Sequence, residues 1–119
     1  MNELIQELHD IEMIKQLKHR YFRAIDMADH GLLDSVFTDD ITVDYRGGTY
    51  VWEASGKKEI IQSLKYSFHS ETAAMHTGHH PEISIHDDVN ASGIWYLQDI
   101  FYNFNENALT QGTALYKDK

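Results

Sequence analysis

Near the middle of the chain, apolar and polar residues alternate along two neighbouring stretches. In 80–86, Ile83 and Ile85 alternate with Glu82 and Ser84, and 91–99 is rich in aromatic and branched residues; both read as strands, joined by a turn at 87–90. Successive side chains of a strand point to opposite faces, so Ala91, Gly93, Trp95, Leu97 and Asp99 share one face while Tyr96 and Gln98 take the other. Asp99 thus extends a row that holds two bulky apolar residues. That row either leaves the core at Asp99 or carries a carboxylate into an enclosed space.

Upstream the period changes. Ile11, Ile14, Leu17, Tyr21, Ile25 and Ala28 recur at three- and four-residue spacings, the stripe of an amphipathic helix over 3–29. Asp29, His30 and Gly31 end it, Gly31 being suited to the left-handed turn of a helix C-terminus. A short helix follows over 32–37. A small hairpin comes next, with strands at 41–45 and 49–53 and a glycine turn at 46–48. Ile60, Ile61, Leu64 and Phe68 mark a third helix over 56–68, with Lys57, Lys58 and Lys65 off its apolar face. After Asp99 the strand runs on to Phe104, turns at 105–107, and returns over 108–116. Helices first and antiparallel strands afterwards predict an α+β domain, three helices packed on one face of a curved sheet.

Length and charge narrow the class. The 119 residues, 42% of them hydrophobic, suit one domain with one core. No run of about 18 apolar residues occurs and the N-terminus is acidic and helical in pattern, so neither a membrane span nor a secretory leader is expected, and a cytoplasmic location is. The absence of cysteine removes disulfides, thiolate nucleophiles and cysteine-held metals. A net charge of -9 disfavours nucleic acid and anionic membrane as partners and leaves a small, largely neutral ligand.

Several residues carry candidate chemistry. Tyr21 and Asp26 stand about 140° apart on a helical wheel and flank the apolar stripe. Asp26 lies near a helix C-terminus, where a negative charge is unfavourable and a nearby imidazolium would offset it. Each also fits an ordinary role, Tyr21 as a core aromatic and Asp26 as a solvated acid. His76, His79, His80 and His86 suggest a metal, but alternation leaves His76 and His80 on one face while His79 points away. Zinc needs three or four convergent ligands, so no metal site is expected. His79 and His80 are placed at the surface or at a pocket mouth.

The segment DIEMIKQLKHRYFRAIDMADHGLLDSVFTDD resembles the opening of the SnoaL-like branch of the nuclear transport factor 2-like superfamily, whose fold is a cone-shaped sheet packed against helices. MHTGHHPEISI with ASGIWYLQD resembles, more specifically, the bacterial bile acid 7α-dehydratase group within it. The resemblance implies catalytic roles for Tyr21, Asp26, His76 and Asp99, and an oligomer, a trimer or dimer, with Tyr96 or Phe101 where outer sheet faces meet. The family's arginine on a last strand has no counterpart here, and its closing hairpin is missing, which implies a domain lacking its final strand or strands.

The implied chemistry is physically coherent. A neutral imidazole is a competent base near neutral pH, and a carboxylate on its other nitrogen fixes the tautomer and stabilises the cation formed; these are the roles of His76 and Asp26. Tyr21 would donate to the enolate oxygen, and Asp99 would orient substrate or protonate a departing hydroxyl. Trp95, Leu97 and His80 are expected to bind substrate. The expected activity is that of a lyase or isomerase on a hydrophobic, polycyclic, steroid-like or polyketide-like molecule, requiring no cofactor. The same fold also suits a non-catalytic ligand-binding or assembly domain.

Overall fold

A computed structural model describes residues 2–119. Asn2 caps the first helix, its side chain accepting from the Ile5 amide at 3.0 Å, and α1 then runs Glu3–Asp26. What stops it is Ala28, which takes the left-handed conformation (φ 51°) expected above of Gly31. Asp29 instead caps the next helix by accepting from the Leu32 amide, so His30 and Gly31 open α2, His30–Val36. Strands β1, Thr42–Gly47, and β2, Tyr50–Ser55, form a separate two-stranded hairpin whose turn includes Gly48 at φ 58°. Helix α3, Lys57–Ser67, buries Ile60, Ile61 and Leu64, three of the four positions its spacing marked.

The main sheet is β3, Thr72–Ile85, β4, Ala91–Asn103, and β5, Ala108–Asp118, all antiparallel in the order β3-β4-β5. Strand β3 begins well before the expected 80–86. Its first half, TAAMHTGH, lacks apolar alternation because its inward positions, Thr72, Ala74, His76 and Gly78, carry no large apolar side chain, and Gly78 leaves room for Phe22 of α1. Between His79 and Glu82 the register slips by one residue, a β-bulge that bends the strand. The helices pack on one face of this curved sheet, as the sequence pattern implies.

Helix α1 is buried over only part of its length. Tyr21, Phe22, Ala24 and Ile25 are buried, whereas Leu4, Ile5, Leu8, Met13 and Leu17 are exposed. Twenty-four residues make a helix about 36 Å long, and its neighbours β3 and α2 meet the end that carries Tyr21 to Asp26. Of the stripe read from Ile11 to Leu17, Ile11 and Ile14 are half-buried and Leu17 is exposed, so full burial is reached only toward Tyr21 and Ile25. The core joins that end of α1 to Leu33, Ala54, Ile60, Ile61, Leu64 and Leu97. Burial of a side chain the size of Ile25 contributes about 1.5–3 kcal/mol.

Inward and outward rows of the sheet follow the register. Trp95 and Leu97 are buried on the inner face, and Tyr96 and Gln98 are exposed on the outer one. Phe101 continues the inner row, its ring edge-on to Phe68 at 5.8 Å, so the expectation that placed it on the outer face with Tyr96 is corrected. Two-residue alternation from Asp99 requires this.

Candidate functional site

The end of α1 meets the middle of β3 at Asp26 and His76. His76 Nδ1 lies 2.6 Å from Asp26 Oδ1, and the His76 backbone N–H donates to both oxygens of the same carboxylate at 3.1 Å. Three contacts thus converge on one carboxylate, which explains how an acid near a helix C-terminus is kept in place. In the neutral ring, an Nδ1–H donated to Asp26 puts the lone pair on Nε2. The ring is confined on both sides: Phe22 stacks on it at 6.1 Å and 10°, and Phe68 meets it edge-on at 5.6 Å. The His76 side chain is 8% exposed and that of Asp26 20%.

Phe22 reaches the imidazole because Gly78 has no side chain. A Cβ on Gly78 would lie 2.6 Å from the Phe22 ring and 3.1 Å from Trp95. Leu97, opposite Gly78 on β4, and Trp95 are packed into this inner layer. An open cleft of about 570 Å³ borders the pair on the Asp26 side, lined by Asp26, Met27, Ala28, His30, His69, Ser70 and Thr72. Its lining is more polar than the expected Trp95 and Leu97 wall.

Asp99 stands opposite His76 in the β3-β4 register, on the same face, yet its carboxylate leans across β5 toward Gly112. Tyr21 belongs to a different group. Its hydroxyl is 3.1 Å from that of Tyr45 on β1, beside Tyr116 of β5. Among the described residues no hydrogen bond joins Tyr21 or Asp99 to His76; Phe22 touches the rings of both Tyr21 and His76. Burial, reinforced by the neighbouring phenols, holds the Tyr21 hydroxyl well above its ordinary pKa, and burial likewise raises Tyr45 and Tyr116.

Lys18 closes this second group. Its ammonium sits 3.8 Å above the Tyr116 ring and 2.7 Å from Asp118 Oδ2, with the lysine side chain 11% exposed. Burial lowers the Lys18 pKa, and Asp118 opposes that shift without cancelling it.

His80, expected to share the inner face with His76, lies elsewhere. The bulge places it at φ 52° with its ring edge-on to Tyr96 on the outer face, and it is exposed. The extra residue inverts the alternation on which the expectation rested. His79 also faces outward, its Nε2 3.2 Å from Thr77 Oγ1. Among the described residues no three His, Asp or Glu side chains gather as a metal site, and no helix is long and apolar enough to cross a membrane.

A model of the SnoaL-like domain matches residues 6–119. The chain belongs to the SnoaL-like family. Its fold is shared with the Kfla4162 protein of Kribbella flavida at a TM-score of 0.83 and 19% identity, over 93% of this chain and 79% of that one. It is shared too with a Novosphingobium aromaticivorans protein to which scytalone dehydratase activity has been provisionally assigned, at 0.81 and 18%, over 94% and 73%. A Catenulispora acidiphila protein in complex with S-DNPA aligns at 0.66 and 18%, over 87% and 75%. At such identities the likeness is one of fold.

Sequence reasoning missed four polar members of this SnoaL-like domain's second group, Lys18, Tyr45, Tyr116 and Asp118, and the two rings that confine His76, Phe22 and Phe68. Phe22 carried a detectable signal, since a phenylalanine beside Tyr21 widens the apolar stripe. Lys18, Tyr45, Tyr116 and Asp118 come from three separate elements, α1, β1 and β5, and gave none.

Proposed function

We propose that this SnoaL-like domain is a cofactor-independent lyase or isomerase, dehydrating or isomerising a hydrophobic polycyclic molecule of steroid-like or polyketide-like character. The observation that carries the reading is the 2.6 Å contact between His76 Nδ1 and Asp26, which leaves Nε2 free to accept a proton from carbon next to a carbonyl. Asp26 then stabilises the imidazolium. Tyr21, whose hydroxyl burial keeps protonated, donates to the enolate oxygen, and the proton taken up by His76 is returned to the departing hydroxyl, which Asp99 orients and which leaves as water. A dehydratase name among the structural neighbours and a small-molecule complex in another are consistent with this class.

The test is a panel of hydroxylated steroids and aromatic polyketides incubated with the purified protein alone, with loss of water followed by mass spectrometry. Turnover without added cofactor, abolished in His76→Ala, is expected. A second reading is favoured by one feature: the His76 ring is nearly buried between Phe22 and Phe68, as in a packing residue. Under it the domain binds a ligand or assembles without catalysis, and the panel yields thermal stabilisation but no product.

We further propose that the domain is a homo-oligomer through its outer sheet face. Met75, Tyr96, Leu109 and Leu115 are exposed there, an apolar surface of the kind partners cover. Light scattering giving a monomer at micromolar concentration would exclude it.

A further inference from the structure

Asp99 is paired directly with two residues, His76 on β3 and Gly112 on β5. Paired residues of antiparallel strands carry their side chains on one face, with Cβ atoms about 4.5–5.5 Å apart. Asp99 therefore has an imidazole on one flank and a missing side chain on the other. Its carboxylate occupies the vacant flank: a Cβ on Gly112 would lie 2.6 Å from Asp99 Oδ1, well inside van der Waals contact, and 3.5 Å from Cγ. Gly112 does not have the left-handed backbone that would call for glycine, so what it supplies is room.

We propose that Gly112 is a positioning residue, holding the Asp99 carboxylate over β5 so that His76 is paired with one carboxylate, Asp26, and not with two. The inference rests on reading His76 as the base. A second negative charge beside the imidazole would favour its protonated form and remove the lone pair that proton abstraction needs. Around His76 the titratable groups are Asp26 from α1 and Asp99 from β4; Phe22 and Phe68, which flank the ring, are uncharged. His30 of α2 and His69, between α3 and β3, line the cleft that Asp26 borders. No other carboxylate stands opposite His76 in the strand register.

Nuclear magnetic resonance of the protein without substrate tests this. In Gly112→Ala the added methyl drives the carboxylate off β5 toward β3, and the His76 C–Hε1 resonance is expected to titrate about 0.5–1 pH unit higher than in the unsubstituted protein. Adding Asp99→Asn to that variant abolishes the difference. An unchanged midpoint in Gly112→Ala, or a shift that survives Asp99→Asn, overturns the proposal. If Gly112→Ala fails to fold, Asp99→Asn alone decides. A fall in the midpoint below about 0.3 unit supports a carboxylate already held away, and a larger fall overturns it. Because none of these measurements uses turnover, they can succeed while His76→Ala retains activity, in which case only the catalytic reading fails.

Discussion

Two polar clusters hang from the same end of α1, and they are built differently. Asp26 and His76 join two elements through one carboxylate, and the imidazole has aromatic rings, not hydrogen-bonding groups, as its other neighbours. Lys18, Tyr21, Tyr45, Tyr116 and Asp118 tie together α1, β1 and β5 through phenols, an ammonium and an ion pair. The first leaves a nitrogen lone pair uncommitted. In the second, hydroxyls and charges are engaged with one another. A base needs the former arrangement, whereas the latter fastens a helix to two sheets and offers protonated donors.

The sharpest way to break that comparison is kinetic. Under the lyase reading, His76→Ala is expected to cost about 10²–10⁴-fold in kcat while Tyr116→Phe costs less than about tenfold, both with near-unchanged circular dichroism. Equal losses would erase the distinction between the clusters. Asp26→Asn should come next, lowering kcat by about tenfold or more with KM little altered, because an amide no longer fixes the imidazole tautomer. It should also cost about 1–3 kcal/mol in urea unfolding, since the His76 backbone N–H loses a charged acceptor. A stable, fully active Asp26→Asn protein would remove the dyad from the mechanism.

The second cluster should show itself in alkali. Tyr21, Tyr45 and Tyr116 are all raised above the ordinary phenol value of 10.0, so above that pH the unfolded chain releases protons that the folded chain keeps. Their contribution to stability is complete below about pH 10 and is lost as the pH rises through the folded values. Lys18, lowered from 10.5, acts in the opposite sense, adding stability as the pH rises toward 10.5, but it is one amine against three phenols. Urea midpoints measured between pH 8 and 11 should fall, and fall less steeply in Tyr45→Phe. A midpoint independent of pH in that range would mean the three hydroxyls are open to water. Smallest of all, Lys18→Met should change stability by less than about 1 kcal/mol, because the lost ion pair with half-exposed Asp118 is offset by relief of lysine desolvation.

The sequence by itself determined the elements and their faces. Helical spacing located α1 and α3, alternation placed Trp95, Leu97 and Asp99 on one face and Tyr96 on the other, and the motifs resembling a SnoaL-like domain singled out Asp26 and His76. These are local properties, fixed by a 3.6- or 2-residue period that each segment carries alone. Where an element meets a neighbour is not local. Ile11 and Ile14 share the stripe of Ile25, yet they are only half-buried while Ile25 is in the core. His80 followed the alternation of His76 until a single extra residue in β3 moved it to the outer face. Only the tertiary structure drew Tyr45 and Tyr116 to Tyr21 and laid Asp99 over Gly112, because the partners come from separate elements and meet when hairpin, helix and sheet close on one core.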